Sequence, residues 1–531
     1  MNLHSAGHRR GVCCAPHHLA VEAGRAILAE GGNAIEAMVA MAATIAVVYP
    51  HMNGIGGDGF WLIRERSGRI RVLMAAGAAG AKADAKLYRN AGHDVIPARG
   101  PLAALTVPGA IAGWMAALEA AKALGGKRPV GELMAAAIGH AKDGVVPARS
   151  FARCTGQVGD ELKSIPDFAA TFLADGRPPP ADTPFRQPPL AETLEQLAHA
   201  GLDDFYRGDI AREIAADLDR LGSPVTRRDL EGCRASVAEP LALTLAEGTL
   251  YNTPPPTQGL ASLMILGMFE RLGVKEPDGF DHMHGLVEST KRALRLRDGY
   301  ITDPGHLAHP PDRYLESSYL DREAAAIDRR RAASWHTQAT GGDTIWMGAA
   351  DGSGLIVSYI QSLYWEFGSA VVLPSTGVLM QNRGLSFSLD PRAVNMLAPG
   401  RVPRHTLNPA LAVLRDGRVM AYGTMGGDAQ PQIQATLFTR HIMYRQPLDV
   451  ALDSPRFLAG RTWGSPKSDL YVESRLDGNV IDRLLSAGHE VTPLGTPYAD
   501  VMGHAGAVVM HSNGNLEAAH DPRADGGAAG V

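Results

Sequence analysis

A threonine in the middle of the chain is the residue whose surroundings most directly suggest chemistry. Gly341, Gly342 and Asp343 precede Thr344, and an alternating apolar segment typical of a β-strand follows it. A threonine hydroxyl is a weak nucleophile that needs a base beside it, and an N-terminal threonine has one in its own α-amine, whose pKa is about 7.7–8.0. A mid-chain threonine has no free amine. The pattern therefore predicts a proenzyme that is cut between Asp343 and Thr344.

The predicted cut is made by the chain itself. The Thr344 hydroxyl attacks the carbonyl carbon of Asp343, the acyl group moves from nitrogen to oxygen, and water hydrolyses the resulting ester. The products would be a large fragment of residues 1–343 and a small fragment of residues 344–531. The amine freed on Thr344 then serves as the base in every later turnover.

The composition is that of a globular enzyme and argues against two other classes of protein. The 531 residues carry a formal net charge of −5 without a run of five like charges, so we expect no nucleic-acid partner. The best candidate for a membrane span, Ala34–Val48, is shorter than the ~20 residues that cross a bilayer and carries Glu36. We interpret this stretch as a buried helix and expect no membrane partner.

The amino terminus, the cysteines and the histidines bear on the compartment and on cofactors. Residues 1–10 lack the apolar core of a secretory signal. The four cysteines form no CxxC pair, which favours reduced thiols, and we predict a cytoplasmic location. His282 and His284 form a His-x-His pair without a third ligand nearby in the sequence, so we predict neither a metal ion nor a cofactor.

Several glycine- and proline-rich motifs follow one another in an order that matches a known family. They are residues 31–37, 50–60, 100–101, 107–109, 254–256, 297–298, 303–304, 367–368, 377–379, 397–400, 426–427 and 454–457, together with Glu288. Each motif alone is typical of an ordinary tight turn, but their order and spacing over roughly residues 10–525 are not. In these motifs the chain resembles the γ-glutamyltranspeptidase family.

The resemblance implies an α+β fold, the four-layer αββα sandwich of the N-terminal-nucleophile hydrolases. The apolar pattern agrees with it, because helical periodicity prevails before residue 344 and short alternating strands prevail after it, with a helix at 432–444. Since both fragments would supply neighbouring strands of one sandwich, we expect them to stay associated as one composite domain. A chain of this size is also compatible with a dimer of such αβ units.

The resemblance also assigns catalytic parts beyond Thr344. Gly426 and Gly427 match the glycines of the family's oxyanion hole, where backbone N–H groups stabilise the charge of a tetrahedral intermediate. Ser362 lies where the family has a second hydroxyl residue that orients the nucleophile. The alternative for Ser362 is a polar residue on the outward face of a strand.

The substrate pocket is where the sequence departs from the family. The family holds the α-carboxylate of a γ-glutamyl group with an arginine, and the matching run here, residues 75–79, is Ala-Ala-Gly-Ala-Ala. Ser386 stands where the family has the aspartate that holds the α-amine. Burying an ammonium group without a carboxylate partner costs about several kcal/mol, because the charge loses its hydration and gains no partner. A γ-glutamyl substrate is therefore disfavoured.

Other polar and aromatic residues take the place of these anchors. Arg383 offers a fork of donors to a carboxylate, and His405, followed by Thr406, replaces a family Ser-Ser pair and adds a second donor. Tyr364, beside Trp365, could narrow the cavity. The alternative for Arg383 is that it pairs with a surface acid or braces its loop.

These features predict a hydrolase of a small anionic amide, with Arg383 holding the carboxylate and Thr344 forming the acyl-enzyme. Within the family the chain is most similar to the oxamate amidohydrolase branch, cytoplasmic enzymes that convert oxamate into oxalate and ammonia. Two alternatives stay open. One is a γ-glutamyltransferase, glutathione hydrolase or cephalosporin-type acylase with an altered pocket, and the other is an uncleaved, non-catalytic binding protein of the same fold.

Overall fold

The computed structural model of the protein describes residues 2–165, 167–180, 182–334, 342–460 and 469–531. None of the helices in these ranges is long and apolar enough to cross a membrane.

Helices make up most of the first 330 residues. The α-helices of the described residues are α1 (His18–Ala29), α2 (Ala34–Val48), α3 (Ala85–Asn90), α4 (Ala110–Ala123), α5 (Val130–Asp143), α6 (Arg149–Leu162), α7 (Phe168–Phe172), α8 (Pro188–Ala200), α9 (Asp204–Arg207), α10 (Asp209–Leu221), α11 (Arg227–Gly232), α12 (Gly259–Leu272), α13 (Phe280–Tyr300), α14 (Ser317–Ala325), α15 (Gln430–Phe438), α16 (Leu448–Asp453) and α17 (Gly478–Ser486). A π-helical turn, Thr439–Met443, extends α15. In α2 the side chain of Asn33 accepts from the first turn while Glu36 accepts from the Asn33 N–H, which fixes where that fully buried helix begins.

Strands come from both ends of the chain. They are β1 (His4–His8), β2 (Gly11–Ala15), β3 (Asp58–Arg64), β4 (Ile70–Ala75), β5 (Ser236–Ala238), β6 (Leu241–Thr244), β7 (Gly248–Asn252), β8 (Asp343–Asp351), β9 (Ile356–Tyr364), β10 (Ala410–Leu414), β11 (Val419–Thr424), β12 (Phe457–Gly460), β13 (Asp469–Glu473), β14 (Val491–Leu494), β15 (Ala505–Met510), β16 (Leu516–His520) and β17 (Gly527–Gly530). Within the described ranges they form two seven-stranded sheets and one three-stranded sheet, β12-β13-β14. Sheet 1 has the order β1-β16-β15-β11-β10-β7-β6, and sheet 2 has the order β17-β2-β8-β9-β3-β4-β5.

The two large sheets face each other between two helical layers. Residues such as Trp346 and Phe60 of sheet 2 meet Leu411 and Val508 of sheet 1 in one apolar cluster. Helices α1, α2, α4 and α5 cover the other face of sheet 2, and helices α12, α13 and α15 cover the other face of sheet 1. Successive side chains along a strand point alternately toward the opposite sheet and toward the covering helices. The four-layer αββα sandwich predicted from the sequence is confirmed.

Residues on either side of Thr344 contribute adjacent strands to both sheets. In sheet 2, β8 pairs with β2 on one side and β9 pairs with β3 on the other. In sheet 1, β10 pairs with β7 and β16 pairs with β1. Neither stretch of chain alone contains all the strands of either seven-stranded sheet.

The sequence-based elements were incomplete before residue 344. The helix predicted from the run at 34–48 has the predicted bounds, and β8 and β9 lie where strands were expected. The long helix α13 and the strands β1–β7 were not predicted. Strand β3 is buried along six of its seven residues, so it lacks the alternation that reveals a half-exposed strand.

Candidate active site

Thr344 lies at the start of β8 with its side chain in the interior between the two sheets. Its Oγ1 donates a hydrogen bond to Ser362 Oγ on β9 at 3.1 Å, and both side chains are buried. Ser362 Oγ also accepts from the backbone N–H of Tyr364 at 2.8 Å. The pairing of β8 with β9 shifts register between Asp343 and Ile345. This irregularity lies at the residue that the sequence predicts to be the nucleophile, and β-bulges commonly redirect side chains near active sites.

A third polar residue continues this row across the sheet. Asp58, the first residue of β3, is directly opposite Ser362 on β9. Two residues further along, Trp346, Ile360 and Phe60 form the equivalent row and face sheet 1. Because side chains two apart on a strand share a face, we place Thr344, Ser362 and Asp58 on that same face at the end of the sheet.

Gly426 and Gly427 follow β11 in left-handed conformations, with φ of +117° and +54°. A Cβ on Gly427 would lie 2.9 Å from the backbone nitrogen of Gly342, closer than side-chain carbons normally approach. Only glycine fits both the dihedral angle and the contact. Of the two predicted oxyanion glycines, Gly427 therefore lies against the segment that leads into Thr344.

A buried polar network holds this glycine turn. Gln258 Nε2 donates to the Gly427 carbonyl at 2.7 Å and to the Thr406 carbonyl at 2.6 Å. Arg297 Nη1 donates to Gln258 Oε1 at 2.8 Å and to Asp428 Oδ1 at 2.5 Å. Burial disfavours the charged form of Arg297, but Asp428 and Asp298 hold its pKa above the ordinary value. The turn is thus fixed by a charged pair whose members are removed from water.

The segment that leads to the predicted cut is anchored at residues 328–333. Lys291 Nζ, itself paired with Glu288 at 2.7 Å, donates to the Ala333 carbonyl at 2.9 Å. Glu288 Oε2 accepts from the Ala333 N–H at 3.2 Å. His284 of the predicted His-x-His pair bonds the Asp328 carbonyl through Nε2 and His489 through Nδ1. We call residues 328–333 the arm, and we call the four side chains that hold it, those of Lys291, Glu288, His284 and His489, the arm anchor.

Three members of the arm anchor are close enough together to be considered as metal ligands. One ligand atom each of His284, Glu288 and His489 lies within 4.8 Å of the others. Hydrogen bonds already satisfy these groups, because Lys291 holds Glu288 and the two rings bond each other. A metal ion would have to displace an ammonium group from its carboxylate, so the geometry fits the hydrogen-bonded anchor better.

Arg383 is the buried cation of the site. Its guanidinium carbon lies 3.8 Å from the ring centroid of Tyr364, and Nη1 donates to Thr406 Oγ1 at 3.2 Å. Among the described residues, Nε and Nη2 have no hydrogen-bond partner. Burial lowers the pKa of Arg383 to about 10, with Tyr364 and Asp58 opposing the shift, so the side chain is a cation at neutral pH.

Tyr364 lies between this cation and the segment that leads into Thr344. Its φ of +85° is uncommon for a residue with a side chain and costs of order 1–3 kcal/mol. A Cβ on Gly342 would lie 3.1 Å from the Tyr364 ring, so the ring contacts the chain just before Thr344. The Tyr364 ring also contacts the guanidinium group of Arg383. The residue with the unusual backbone angle is thus the one whose ring contacts both Arg383 and the chain at Gly342.

Asp58 and His405 form a second polar pair beside Arg383. Asp58 Oδ1 accepts from the N–H groups of Gly77 and Gly109, both at 3.0 Å, while Oδ2 lies 3.5 Å from His405 Nε2. Burial raises the pKa of Asp58 to about 7, although these N–H groups, Arg383 and the Gln381 side chain oppose the shift. Burial and the nearby Arg383 hold the pKa of His405 well below its usual range.

Two other predicted residues contact different partners. Trp365 donates its backbone N–H to Asn382 Oδ1 at 3.1 Å, and its ring lies 5.7 Å from the guanidinium carbon of Arg99. The Ser386 hydroxyl makes no hydrogen bond within the described ranges, and its carbonyl accepts from Asn395. Gly341 lies outside the described residues. The structure thus brings Thr344 together with Ser362, and Arg383 with Tyr364 and Thr406, but it does not bring Ser386 into either set.

A model of the γ-glutamyltranspeptidase family matches residues 20–531 of this chain. The chain belongs to the γ-glutamyltranspeptidase family. The predicted family is therefore confirmed, and with it the enzyme class of N-terminal-nucleophile amidohydrolases.

Relatives of the family resemble this chain along its whole length. The oxamate amidohydrolase proenzyme of Klebsiella pneumoniae is 51% identical over 521 residues, covering 98% of each chain. The glutathione hydrolase-like YwrD proenzyme of Bacillus subtilis is 37% identical and covers 97% of each chain. The crystal structure of a cephalosporin acylase from Bacillus halodurans superposes with a TM-score of 0.92 at 29% identity, covering 100% of this chain and 97% of that one.

An apolar cavity lies beside the site of this γ-glutamyltranspeptidase-family protein. Its volume is about 460 Å³, and it is lined by Phe60, Met74 and Ala76 of sheet 2 and its continuation and by Pro256 across from them. The Phe60 and His405 rings meet edge to face with their centroids 4.9 Å apart, and the backbone N–H of His405 donates to the Pro256 carbonyl. Ala76 belongs to the run that lacks the family's carboxylate-binding arginine.

Sequence reasoning missed three residues of the γ-glutamyltranspeptidase-family site. Asp58 and Arg297 lay inside motifs that matched the family, but no role was assigned to them. Gln258 lay between motifs. The signal for Asp58 was a carboxylate enclosed by glycines, in Gly56-Gly57-Asp58-Gly59, at the start of an otherwise apolar strand. The signal for Arg297 and Gln258 was weaker, because their partners are distant in the sequence.

Proposed function

We propose that the protein cleaves itself before Thr344 and then hydrolyses a small anionic amide, with oxamate as the best-fitting substrate. The observation that carries the proposal is the buried Arg383 guanidinium, which keeps two N–H directions without a partner among the described residues. Such donors cost free energy when they stay unpaired in the interior. A substrate carboxylate would satisfy both with the fork geometry that guanidinium groups prefer.

The proposed self-cleavage uses groups that are already aligned. Ser362 orients the Thr344 hydroxyl, and the Gly427 backbone lies beside Gly342. Attack on the Asp343 carbonyl forms a new C–O bond, and the C–N bond to Thr344 then breaks. Hydrolysis of the ester leaves a carboxylate on Asp343 and an amine on Thr344. The interleaved strands would keep the two fragments together.

The proposed turnover repeats the same chemistry on an external amide. The Thr344 amine accepts the hydroxyl proton, and the oxygen attacks the amide carbon. Backbone N–H groups of the Gly426-Gly427 turn stabilise the oxyanion, a contribution of about 2.7–4 kcal/mol for a single donor. The proton passes to the departing nitrogen, which leaves as ammonia. Water then hydrolyses the oxalyl ester, so that oxamate and water yield oxalate and ammonia.

The relatives support this choice of substrate. The oxamate amidohydrolase proenzyme, at 51% identity over nearly the whole length, is named for that activity. The residues that replace the γ-glutamyl anchors also favour a short anion, since Ser386 provides no carboxylate for an α-amine. Location in the cytoplasm and assembly into dimers of αβ units remain predictions from the sequence.

The test combines intact mass under denaturing conditions with ammonia release. We expect two fragments, the smaller beginning at Thr344, and ammonia from oxamate but not from acetamide, which has no carboxylate, or from a γ-glutamyl amide. Arg383→Ala should raise KM for oxamate about 100-fold or more while self-cleavage proceeds, because hydrogen bonds to charged groups contribute about 1.5–3 kcal/mol each. The control Arg392→Ala removes an arginine that is exposed on the same loop.

Three results would contradict the proposal. An unchanged KM in Arg383→Ala would remove that residue from the substrate site. Ammonia from the γ-glutamyl amide alone would point to a glutathione hydrolase. A single uncleaved chain without activity would point to a binding protein of the same fold.

A second candidate, an acylase for larger amides, is supported by the apolar cavity and by the cephalosporin acylase neighbour. An acyl chain that extends past His405 could enter a volume of about 460 Å³. Glutaryl amides test this candidate. Faster turnover of glutaryl amides than of oxamate would favour it, and Ala76→Trp, which fills the cavity, should then abolish their turnover while oxamate turnover is kept.

A further inference from the structure

Five buried polar atoms in one region lack hydrogen-bond partners among the described residues. They are Arg383 Nε and Nη2, Asp58 Oδ2, and both ring nitrogens of His405. Buried polar groups are paired in the great majority of cases, so a cluster of unpaired ones calls for a ligand. Arg383 accounts for two of the atoms in the proposed function. Asp58 and His405 account for the other three.

The two side chains differ in how firmly they are held. Asp58 is fixed by two N–H donors on Oδ1, so its free oxygen points at a constant position. That oxygen lies 3.5 Å from His405 Nε2, just beyond ordinary hydrogen-bond length. A movement of a few tenths of an ångström would close the bond. The other ring nitrogen, Nδ1, would then be available to an incoming group.

The charge of the region limits what that group can be. An anion next to an ionised Asp58 would be repelled in an environment of low dielectric constant. The same anion is favoured if Asp58 carries a proton, because the carboxyl group can then donate to one nitrogen of the neutral His405 ring while the other nitrogen, which carries the ring N–H, donates to the anion. The pair is therefore suited to an anion only in its protonated state.

We propose that Asp58 and His405 form a proton-carrying couple that completes the carboxylate site of Arg383, taking up one proton when an anionic substrate binds. This inference rests on the proposed function and adds two specificity-determining residues to it. Loss of the shared proton makes the couple reject the anion. The proton comes from solvent and adds to the Asp58 carboxylate, and no bond of the substrate is broken or formed in this step.

The pH range follows from the groups that face the couple. Burial raises the pKa of Asp58 to about 7, so anion affinity is present below that pH and is lost as the pH rises above it. The neighbours Cys233, Tyr206 and Tyr359 titrate far above neutrality, because burial raises their pKa values. Among the charged neighbours, Arg383 remains a cation near neutral pH because burial lowers its pKa only to about 10; Asp428 and Arg404 act on Arg383 in opposite directions. The remaining group that titrates near pH 8 is the α-amine that cleavage would create on Thr344.

The first experiment measures proton uptake when oxalate binds to the processed protein. Calorimetry at pH 8 in buffers of different ionisation enthalpy gives the number of protons directly. We expect about 0.9 proton more for the wild type than for Asp58→Asn, since roughly a tenth of Asp58 is protonated at that pH before binding. Both proteins carry the Thr344 amine, so any proton that the amine takes up cancels when the two values are subtracted.

The second experiment follows KM for oxamate from pH 6 to pH 9. We expect KM of the wild type to rise about tenfold per pH unit above pH 7, and KM of Asp58→Asn to be flat. Asparagine retains the carbonyl oxygen that Gly77 and Gly109 require. The matched control Asp217→Asn changes a buried aspartate in helix α10 that is bonded to Ser375, and it should keep the wild-type slope.

A second variant guards against misfolding of the first. His405→Gln keeps a donor toward Asp58 but cannot carry a second proton, so it should bind oxalate more weakly at pH 6.5 and take up fewer protons than the wild type. Intact mass reports whether each variant has folded well enough to process.

The outcomes separate this inference from the proposed function. Turnover of oxamate without extra proton uptake, or with the same pH slope in Asp58→Asn, overturns the couple and leaves the function intact. Proton-linked oxalate binding without hydrolysis supports the couple and overturns the function. Failure of the wild type to bind oxalate or oxamate overturns both. Tighter binding of an amino-acid amide that depends on ionised Asp58 would assign the couple to an ammonium instead.

Discussion

The cost of keeping Asp58 in the interior can be measured without any ligand. An ordinary aspartate has a pKa of 3.8, whereas burial raises the pKa of Asp58 to about 7. Between these values the native protein holds a proton that the unfolded chain has released, so native stability falls as the pH rises from about 4 to 7. A difference of this size corresponds to about 4 kcal/mol, which is lost by pH 8.

Asp58→Asn removes this penalty while retaining the contacts of Oδ1. We expect the variant to match the wild type near pH 4 and to be more stable by up to about 4 kcal/mol at pH 8. With an unfolding entropy of about 2.1 cal/mol/K per residue, a chain of this length gains roughly 1 °C in Tm per kcal/mol. The expected difference in Tm therefore grows from near zero to about 4 °C across this range.

Differential scanning calorimetry at one-unit steps between pH 4 and pH 8 tests the prediction. Both proteins are compared in the same processing state, verified by intact mass. The control Asp217→Asn loses one of the two oxygens that accept from Ser375 and the negative charge that pairs with Arg220, so it should be destabilised and gain nothing at high pH. Parallel Tm curves for the wild type and Asp58→Asn would refute the argument, since they would mean that Asp58 titrates normally.

Three further predictions concern self-cleavage and are read from time courses of intact mass. Ser362→Ala should slow it roughly 10- to 100-fold, because the Thr344 hydroxyl and the Tyr364 N–H both lose their acceptor, and Ser362→Thr should restore most of the rate. Gly427→Ala should reduce it at least 100-fold, since a Cβ would collide with the chain at Gly342, and a normal rate would exclude this turn from the reaction. Lys291→Met should slow the cut by loosening the arm anchor, yet leave kcat per processed molecule unchanged; equal losses in both would contradict a role limited to the arm.

The parts of the fold that could be predicted are those whose signals are local. Helix α2 is an apolar run between the Asn33 cap and Pro50, and its bounds follow from those residues. Helix α13 was missed because many of its buried positions are polar, including Glu288 and Arg297, which interrupt the apolar period. Those polar residues are buried for the sake of distant partners, and no local pattern reveals such partners.

The same distinction applies to the site. The role of Thr344 stays a prediction, and it could be made from the sequence because its chemistry needs a particular sequence on both sides of one bond. Arg383 was proposed as the carboxylate-binding residue because the family's γ-glutamyl anchors are absent from this sequence. Its position against Tyr364, however, depends on the strained backbone at the end of β9. The role of Asp58 depends on Gly77, Gly109 and His405, which come from three other segments. A contact set of this kind exists only once the chain has folded.

The arrangement of strands explains how the proposed cut could create an active enzyme without rearrangement. Strand β8 is held on one side by β2, from before the cut, and on the other by β9, from after it. The pairs of β8 with β2, at Gly348–Asp351, and its pairs with β9 from Ile345 onward all lie after the cut, so breaking the bond before Thr344 leaves them in place. The new amine would therefore form where the hydroxyl already meets Ser362, and the geometry that made the cut would be the geometry that receives the substrate. Since precursor and mature enzyme would share one set of contacts, a variant that disturbs Ser362 or Gly427 should impair both reactions, whereas one that disturbs only the arm anchor should impair the first alone.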